Sequence, residues 1–464
     1  MGIYTVYCVL ISIVKYSFMK PARPQFNYLL KLSIPAVFSQ LAQMGMGFID
    51  TIMAGHHNRD TLAVVSIGSN LFIPVIIVFL GIFLSINPLA SGHAARNEPK
   101  ELAQLLKSSL ALAFTLAIPI IYIVRNLEPV IRLLGLNANL IVESDAYLDA
   151  LSYGLIPLFL FLALRFYNEG LFSTRAIMFI TLSALPINIA FNYLFLFKLN
   201  WGPAGLGFAT TISYSFLCLA LLIFTLKYRG YSAVIRHLSE VKISFEIIKK
   251  IIQLGLPIGI GLGLEITLFA VTGLFIATYG VEIVAGHQIA MNIASMTFMI
   301  PMGISIATTA RVGYFFGKND YLTATRVGYI GSGMSLVVMM VSALTMWFFP
   351  DMLVHLYTTD VGTVQVAAQL LFYAAIFQLF DGVQVTVLGA LRGFHDTKIP
   401  MYFNLIAYWL IGFPIGYYLS LTYKAAGFWM GIILALMSAA ILMSIRYGVV
   451  SHRFLSISST QVEQ

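Results

Sequence analysis

Long apolar runs separated by short polar breaks dominate the chain from Leu29 onward. A transmembrane helix needs roughly 20 mostly apolar residues, and about twelve runs of that kind follow one another along the sequence. The pattern therefore predicts an all-α integral membrane protein with about 12 transmembrane helices. The expected helix centres lie near Gln43, Val75, Leu116, Leu158, Leu185, Leu217, Thr267, Ala294, Leu336, Phe377, Trp409 and Leu436.

An internal repeat divides these helices into two sets of six. The sequence LKLSIP at 30–35 resembles IQLGLP at 252–257, an offset of 222 residues that also relates Asn97 to Asn319. Further along, the sequence ALR at 163–165 resembles ALR at 390–392, at an offset of 227. Because six is even, both halves begin on the same side of the membrane, which predicts two lobes related by a pseudo-twofold axis along the membrane normal.

Polar segments set the expected boundaries of these lobes. The charged stretch between Lys227 and Lys250 lies halfway along the chain and has the composition of a linker. We expect five regions, namely an N-terminal extension (1–24), an N-lobe (25–230), a cytoplasmic linker (231–245), a C-lobe (246–450) and a C-terminal tail (451–464).

Charge composition agrees with membrane insertion and indicates an orientation. Only 10% of the residues are charged and 59% are hydrophobic, whereas soluble proteins carry about 25% charged residues. If the N-terminus is cytoplasmic, 22 of the 27 Lys and Arg residues, Arg165 and Arg392 among them, fall in cytoplasmic segments. Both termini are therefore expected in the cytoplasm. Because the basic residues are scattered through short loops, the net charge of +8 does not indicate nucleic-acid binding.

Signatures of catalysis are missing from the sequence. It has no nucleophile elbow, no Walker A loop and no metal-binding His/Glu pattern, and its two cysteines have no metal-like spacing. We expect neither an enzyme nor a protein with a cofactor or a structural metal.

Three acidic residues lie inside the apolar runs, where each carboxylate costs roughly 2.5 to 3.5 kcal/mol at a helix centre. They are Asp50, Glu265 and Asp381, and no Lys or Arg interrupts the apolar runs around them. Such a group can be neutralised by a proton, by Na⁺ or by a cationic substrate, and it can also serve as a hydrogen-bond acceptor for a neighbouring helix. The first reading predicts a coupling site, and the second predicts a structural role.

Helical spacing places further polar and aromatic residues near these acids. Tyr373, Phe377, Asp381 and Gln384 share one helix face, as expected for a pocket that binds an organic cation. The amide pairs Asn188 with Asn192 and Gln288 with Asn292 are each one turn apart, a spacing that suits ligands and also suits contacts between helices. His287 could join a proton relay or be an ordinary interfacial histidine.

Several segments resemble the NorM branch of the multidrug and toxic compound extrusion (MATE) family. The resemblance runs from about Leu29 to Arg446 and implies a twelve-helix, two-lobe exporter that exchanges cationic drugs for Na⁺ or H⁺. The segments that carry it are GFIDTIMAG at 47–55, LEITLF at 264–269, AGHQ at 285–288, FDGVQ at 380–384, ALRG at 390–393 and AGFW at 426–429.

The resemblance also implies roles for individual residues. Glu265 and Asp381 correspond to the cation-site pair of the second lobe, with Phe298 placed where an aromatic ring can approach the cation. Asp50 corresponds to the acidic residue of the first helix and, with Asn188 and Asn192, forms a proton or drug site.

These observations lead to one expected function and one alternative. We expect a multidrug efflux antiporter of a bacterial-type inner membrane, functional as a monomer, whose partners are organic cations, Na⁺ or H⁺, and the lipid bilayer. The alternative is a flippase of lipid-linked intermediates on a related fold, which needs basic residues to bind phosphate, whereas the three candidate residues here are acidic.

Overall fold

The structure is a computed structural model that describes residues 22–133 and 137–462, with side chains described from Arg23 to Ser456. Nearly all of the described residues are helical, and no β-strand occurs within those ranges. The extension expected at 1–24 lies almost entirely outside the described residues.

Helices of the first half follow one another with short connections. A π-helical segment, Tyr193–Lys198, continues the helix that ends at Asn192. The helices are α1 (Ala22–His57), α2 (Arg59–Leu84), α3 (Ile86–Ala95), α4 (Pro99–Arg125), α5 (Glu128–Leu133), α6 (Ala138–Ser152), α7 (Leu155–Gly170), α8 (Thr174–Asn192), α9 (Gly202–Lys227) and α10 (Ser232–His237).

The second half repeats this order. A second π-helical segment, Leu405–Gly412, connects α16 to α17. The helices are α11 (Phe245–Ala277), α12 (Val281–Gly317), α13 (Tyr321–Phe348), α14 (Pro350–His355), α15 (Val361–Gly393), α16 (Lys398–Asn404), α17 (Phe413–Tyr423) and α18 (Ala425–Val462).

Eleven helices of the described residues are long and apolar enough to cross a membrane, and a bent pair brings the number to twelve. The pair is α6 and α7, which meet at an angle of 46°. All twelve expected centres lie inside these helices, so the prediction of an all-α integral membrane protein with about 12 spans is confirmed.

The chain forms two compact units whose boundaries fall inside α1 and α11. One unit is Phe38–Leu256; the other contains the described residues up to Val37 and those from Pro257 onward. The first turns of α1 therefore pack with the second half of the chain, and the first turns of α11 pack with the first half.

Glycines allow both of these packings. A Cβ atom added to Gly303 would lie 2.7 Å from the backbone nitrogen of Val37, and one added to Gly255 would lie 2.5 Å from the backbone of Ile82. Because both contacts are with backbone atoms, which cannot move aside cheaply, each helix crossing requires a residue without a side chain.

The repeat is visible in the turns that connect the helices. Asn97 and Asn319, related by the offset of 222, have φ angles of 57° and 59°. In each turn the following residue donates its backbone N–H to a carbonyl five residues earlier, from Glu98 to His93 and from Asp320 to Phe315. Asparagine tolerates this left-handed conformation better than most residues, which explains its presence at both helix ends.

The offset of 227 between Arg165 and Arg392 is wrong in structural terms. Gly170 and Gly393 end α7 and α15, and each is followed two residues later by a residue with a φ angle of 61° to 63°. These helix ends are 223 residues apart, so Arg392 corresponds to Glu169, and Arg165 lies one turn earlier.

Candidate functional site

Asp50 lies at the centre of a buried polar cluster in the first half. Three side chains donate hydrogen bonds to its carboxylate, from Asn188 Nδ2 at 3.1 Å, Asn192 Nδ2 at 2.6 Å and Thr210 Oγ1 at 2.9 Å. The donors come from α8 and α9, and Asp50 itself is 6% exposed. The amide spacing recognised in the sequence thus brings Asn188 and Asn192 together on one acid.

Neutral donors surround this acid. Within the described chain no Lys or Arg forms an ion pair with Asp50. The Oδ1 atom of Asn192 is buried and accepts no hydrogen bond from any residue that the structure describes, which leaves an unused acceptor beside the carboxylate. A carboxylate and a free amide oxygen together suit a small cation or a proton.

A second polar cluster in the other half contains Glu265 and Asp381. Gln384 donates a hydrogen bond to the hydroxyl of Tyr408, and that hydroxyl is hydrogen-bonded to Glu265. Asp381 is 6% exposed and interacts electrostatically with Glu265. The structure therefore brings together Glu265 on α11 and Asp381 with Gln384 on α15, the two acids that the family resemblance pairs.

Tyr408 is positioned by contacts between α11 and the second π-helical segment. Asn404 Nδ2 donates to the carbonyl of Gly261 at 3.4 Å, and the indole N–H of Trp409 donates to the carbonyl of Leu264 at 3.2 Å. One turn after the first contact, Tyr408 meets Glu265. Non-α backbone of this kind is frequent at functional sites.

Two buried oxygen atoms of this cluster have no hydrogen-bond partner among the described residues. They are Asp381 Oδ1 and Gln384 Oε1, which are carried by residues three apart on α15 and therefore lie on the same face. Buried acceptors are normally satisfied, so unpaired ones indicate a place for a proton or an ion. Carboxylate and amide oxygens are suitable ligands for a hard cation.

Arg392 is a member of this cluster that the sequence analysis missed. Expected in a cytoplasmic segment, the residue lies one position before the end of α15 and is 3% exposed. Its guanidinium interacts electrostatically with the carboxylate of Glu265. Arg392 is about 16 Å along the helix from Asp381, so inspection of that helix alone could not reveal a cation near the acidic pair.

A further buried acid, Glu169, was also missed. It forms an ion pair with Arg165 at 2.8 Å, and both side chains are at most 3% exposed. Arg165, one of the residues expected in cytoplasmic segments, also donates hydrogen bonds to Gln43, at 2.6 Å, and to Gln40. Spacing of i and i+4 is the signal in the sequence that could have identified this pair.

Other predicted residues lie outside the hydrogen-bonded clusters. Gln288 is exposed and Asn292, Phe298 and Tyr373 are partly buried, and no described contact joins them to the acidic pair. Phe377 is 2% exposed and packs in the core against Trp429, with ring centroids 5.7 Å apart.

His287 accepts a hydrogen bond at Nδ1 from the indole N–H of Trp429 at 3.2 Å. The two rings meet edge to face, and His287 is 5% exposed. An accepting Nδ1 fixes the neutral tautomer with the proton on Nε2. His287 is therefore a buried, hydrogen-bonded histidine in the core.

Relatives of known classification match almost the whole chain. It is 33% identical over 430 residues to the "Probable multidrug resistance protein NorM" of Acinetobacter baylyi, covering 91% of this chain and 96% of that one. The protein of the same description from Geobacillus kaustophilus is 34% identical over 443 residues, covering 93% and 97%.

Solved structures show the same fold. The eukaryotic MATE transporter AtDTX14 superposes with a TM-score of 0.85 at 17% identity, covering 93% of this chain and 98% of that one. A point mutant of the Vibrio cholerae MATE transporter VcmN gives 0.84 at 13% identity, covering 92% and 97%. The MatE family model matches twice, at residues 35–194 and 257–418, and the two matches begin 222 residues apart. The chain belongs to the MATE family.

Proposed function

We propose that this protein is a multidrug efflux antiporter that exports cationic and amphipathic organic compounds in exchange for Na⁺ or H⁺ by alternating access. The observation that carries the proposal is the pair Glu265 and Asp381, in which the buried atom Asp381 Oδ1 has no hydrogen-bond partner among the described residues. Two neighbouring carboxylates in a low-dielectric interior repel each other and attract any mobile cation.

Competition for these carboxylates couples two fluxes. A bound ion or proton neutralises the pair, whereas an organic cation binds to the negative charge of the pair. Each therefore lowers the affinity of the pair for the other. Binding of one therefore favours release of the other, which is the requirement for exchange. The multidrug resistance descriptions of the relatives support organic cations as the exported class.

Asp50 supplies a separate centre in the first half. Its carboxylate has three neutral donors and an unused amide oxygen nearby, from Asn192. We assign to Asp50, Asn188 and Asn192 the binding of a proton or of the drug. In the second half, Gln384 supports the coupling cation, while Gln288, Asn292, Phe298, Tyr373 and Phe377 stay candidate contacts with cation or substrate.

Charge distribution supports the proposed location. With Arg165 and Arg392 removed from the count, most Lys and Arg residues still fall in alternate connecting segments, as the positive-inside rule requires. We propose a bacterial-type inner membrane with both termini in the cytoplasm. Because each half contains its own acidic centre, a monomer contains all the residues that the mechanism needs.

Lipid flipping has less support. A flippase of lipid-linked intermediates needs cationic side chains to hold the phosphate. The two buried arginines are directed to other partners, Arg165 to Glu169 and Arg392 to Glu265. Neither cation is left without a negative neighbour, so the acidic centres favour cationic cargo.

The decisive experiment is efflux of ethidium from proteoliposomes under separately imposed gradients. Vesicles containing purified protein are loaded with ethidium and exposed to an inward Na⁺ gradient at equal pH, or to an inward H⁺ gradient without Na⁺. We expect one gradient or both to accelerate efflux above that of protein-free vesicles. Dissipating the active gradient with an ionophore should abolish the acceleration. Transport that is equal in all conditions would overturn the proposed exchange.

A further inference from the structure

The charges of the second-half cluster do not balance. Glu265 and Asp381 contribute two negative charges when ionised, and Arg392 contributes one positive charge. These groups and the neutral Tyr408 are the ionisable side chains that face Glu265. The cluster therefore lacks one positive charge, which a single monovalent cation supplies.

Arg392 acts on Glu265 across space. No nitrogen–oxygen distance of 4 Å or less joins the two side chains in the described chain, and Arg392 Nε is buried without a hydrogen-bond partner. The nearby acid Asp396 does not hold Arg392, because it pairs with Arg446 at 2.6 Å. The charge of Arg392 is thus left to act on Glu265.

A small cavity lies beside this arginine, one turn from Glu265. Its lining includes Gly261, Arg392, Thr397 and Asn404, and its volume of about 10 Å³ is at the lower limit of what can hold one water molecule. Thr397 Oγ1 and Asn404 Oδ1 are also buried, and neither has a hydrogen-bond partner in the part of the chain that the structure describes. Water held in such a polar cavity can solvate the guanidinium when Glu265 is neutralised by another cation.

We propose that Arg392 is a positioning residue, a built-in cation that weakens binding of the driving cation at Glu265 and Asp381 and limits the site to one monovalent ion. The inference rests on the proposed function. Weak binding has a use in exchange, because an ion held too tightly would not be released on the other side of the membrane. Arg392 sets this affinity without touching the transported ion.

The test measures the half-saturating concentration of the driving cation for ethidium efflux in proteoliposomes. Arg392→Gln removes the positive charge, so the half-saturating concentration should fall by about tenfold or more. Arg392→Lys keeps the charge and should restore a value near that of the unaltered protein. A residue with a merely structural role would weaken or abolish binding when replaced, so the direction of the shift separates the two roles.

A matched control exists in the first half. The double variant Arg165→Gln with Glu169→Gln removes a buried arginine without changing the net charge, and it lies outside the acidic pair. Its half-saturating concentration should equal that of the unaltered protein. A tightening in this control as large as that in Arg392→Gln would overturn the proposed role of Arg392.

Folding and function can be separated. Folding is judged from monodispersity in size-exclusion chromatography at a saturating concentration of the driving cation. Arg392→Met is made in parallel as a second uncharged variant beside Arg392→Gln. If both uncharged variants fail to fold while Arg392→Lys folds, the arginine is structural and the inference is overturned. If the unaltered protein responds to neither gradient, the proposed function itself fails. If it responds but Arg392→Gln binds no tighter, this inference alone fails.

Discussion

At equivalent positions of the repeat, one half of the chain has Glu169 and the other has Arg392. The residues opposite them also differ in charge. The neutral Gln43 in α1 corresponds to the acidic Glu265 in α11 at the offset of 222. In the first half, Arg165 bridges Glu169 and Gln43 through direct contacts. In the second half, Arg392 faces Glu265 without a direct contact.

The difference separates two polar clusters. In the closed cluster, formed by Gln43, Arg165 and Glu169, the charges balance. In the open cluster, formed by Glu265, Asp381 and Arg392, they do not. Arg165 and Glu169 cancel each other, and Gln43 is neutral, so this cluster has no need of a mobile ion. Glu265, Asp381 and Arg392 leave one negative charge uncompensated. One helical framework thus contains an ion pair in one half and, in the other, an acidic pair that one arginine does not fully neutralise.

The largest expected effect is the loss of transport when a carboxylate of the open cluster is removed. Asp381→Asn removes one carboxylate, and Glu265→Gln removes the other. Either change alone brings the net charge of the cluster from −1 to zero, and so removes the charge proposed to attract the driving cation. Gradient-driven ethidium efflux from proteoliposomes should fall by at least about 100-fold. Asp351→Asn, at an exposed position near the start of α14, is the matched control and should transport normally. Normal efflux by a well-folded Asp381→Asn variant would contradict the assignment.

The next largest effect is the loss of stability when the arginine of the closed cluster is removed. Arg165→Gln leaves Glu169 buried without its partner, which should reduce the free energy of unfolding by about 3–5 kcal/mol. Thermal unfolding in detergent measures the loss, and the added change Glu169→Gln should recover most of it.

A surface pair serves as its control. Glu128 and Arg132 have the same i,i+4 spacing and form a salt bridge, but Arg132 is 64% exposed. Arg132→Gln should therefore change stability by less than about 1 kcal/mol. Equal losses from the buried and the exposed pair would show that burial of the Arg165 pair is energetically unimportant.

The smallest effect tests whether the repeat extends to the turns. Asn97→Ala and Asn319→Ala place alanine at φ angles of 57° and 59°, and each should cost about 1 kcal/mol of stability. Glycine at either position should preserve stability, since it adopts positive φ freely. Thermal unfolding of the four variants gives the comparison, and a large difference between the two alanine variants would argue against equivalent turns.

The pattern of apolar runs was sufficient to predict the fold. Every expected helix centre lies in an observed helix, because twenty apolar residues have few alternatives to spanning a bilayer. The bend between α6 and α7 and the π-helical segments were not predictable, since neither changes the apolar pattern.

The candidate site was predictable only in part. The cost of intramembrane acids singled out Asp50, Glu265 and Asp381, and helical spacing singled out Asn188 with Asn192. Their grouping into two centres came from the family resemblance. Arg392 and Tyr408 could not be found in this way, because they reach Glu265 from other helices. Arg392 also lies at a helix end, where a cation in the sequence resembles an ordinary loop residue.

The π-helical backbone has a consequence for how the chain can vary. A π turn contains one residue more than an α turn, so removing a single residue from 405–412 would restore regular α geometry. The π turn thus absorbs one residue without turning the helix beyond it. A deletion inside a regular α-helix has no extra residue to remove and turns every later side chain by about 100°. This segment can therefore lose a residue with less change to the side chains that follow than a regular α-helical stretch can.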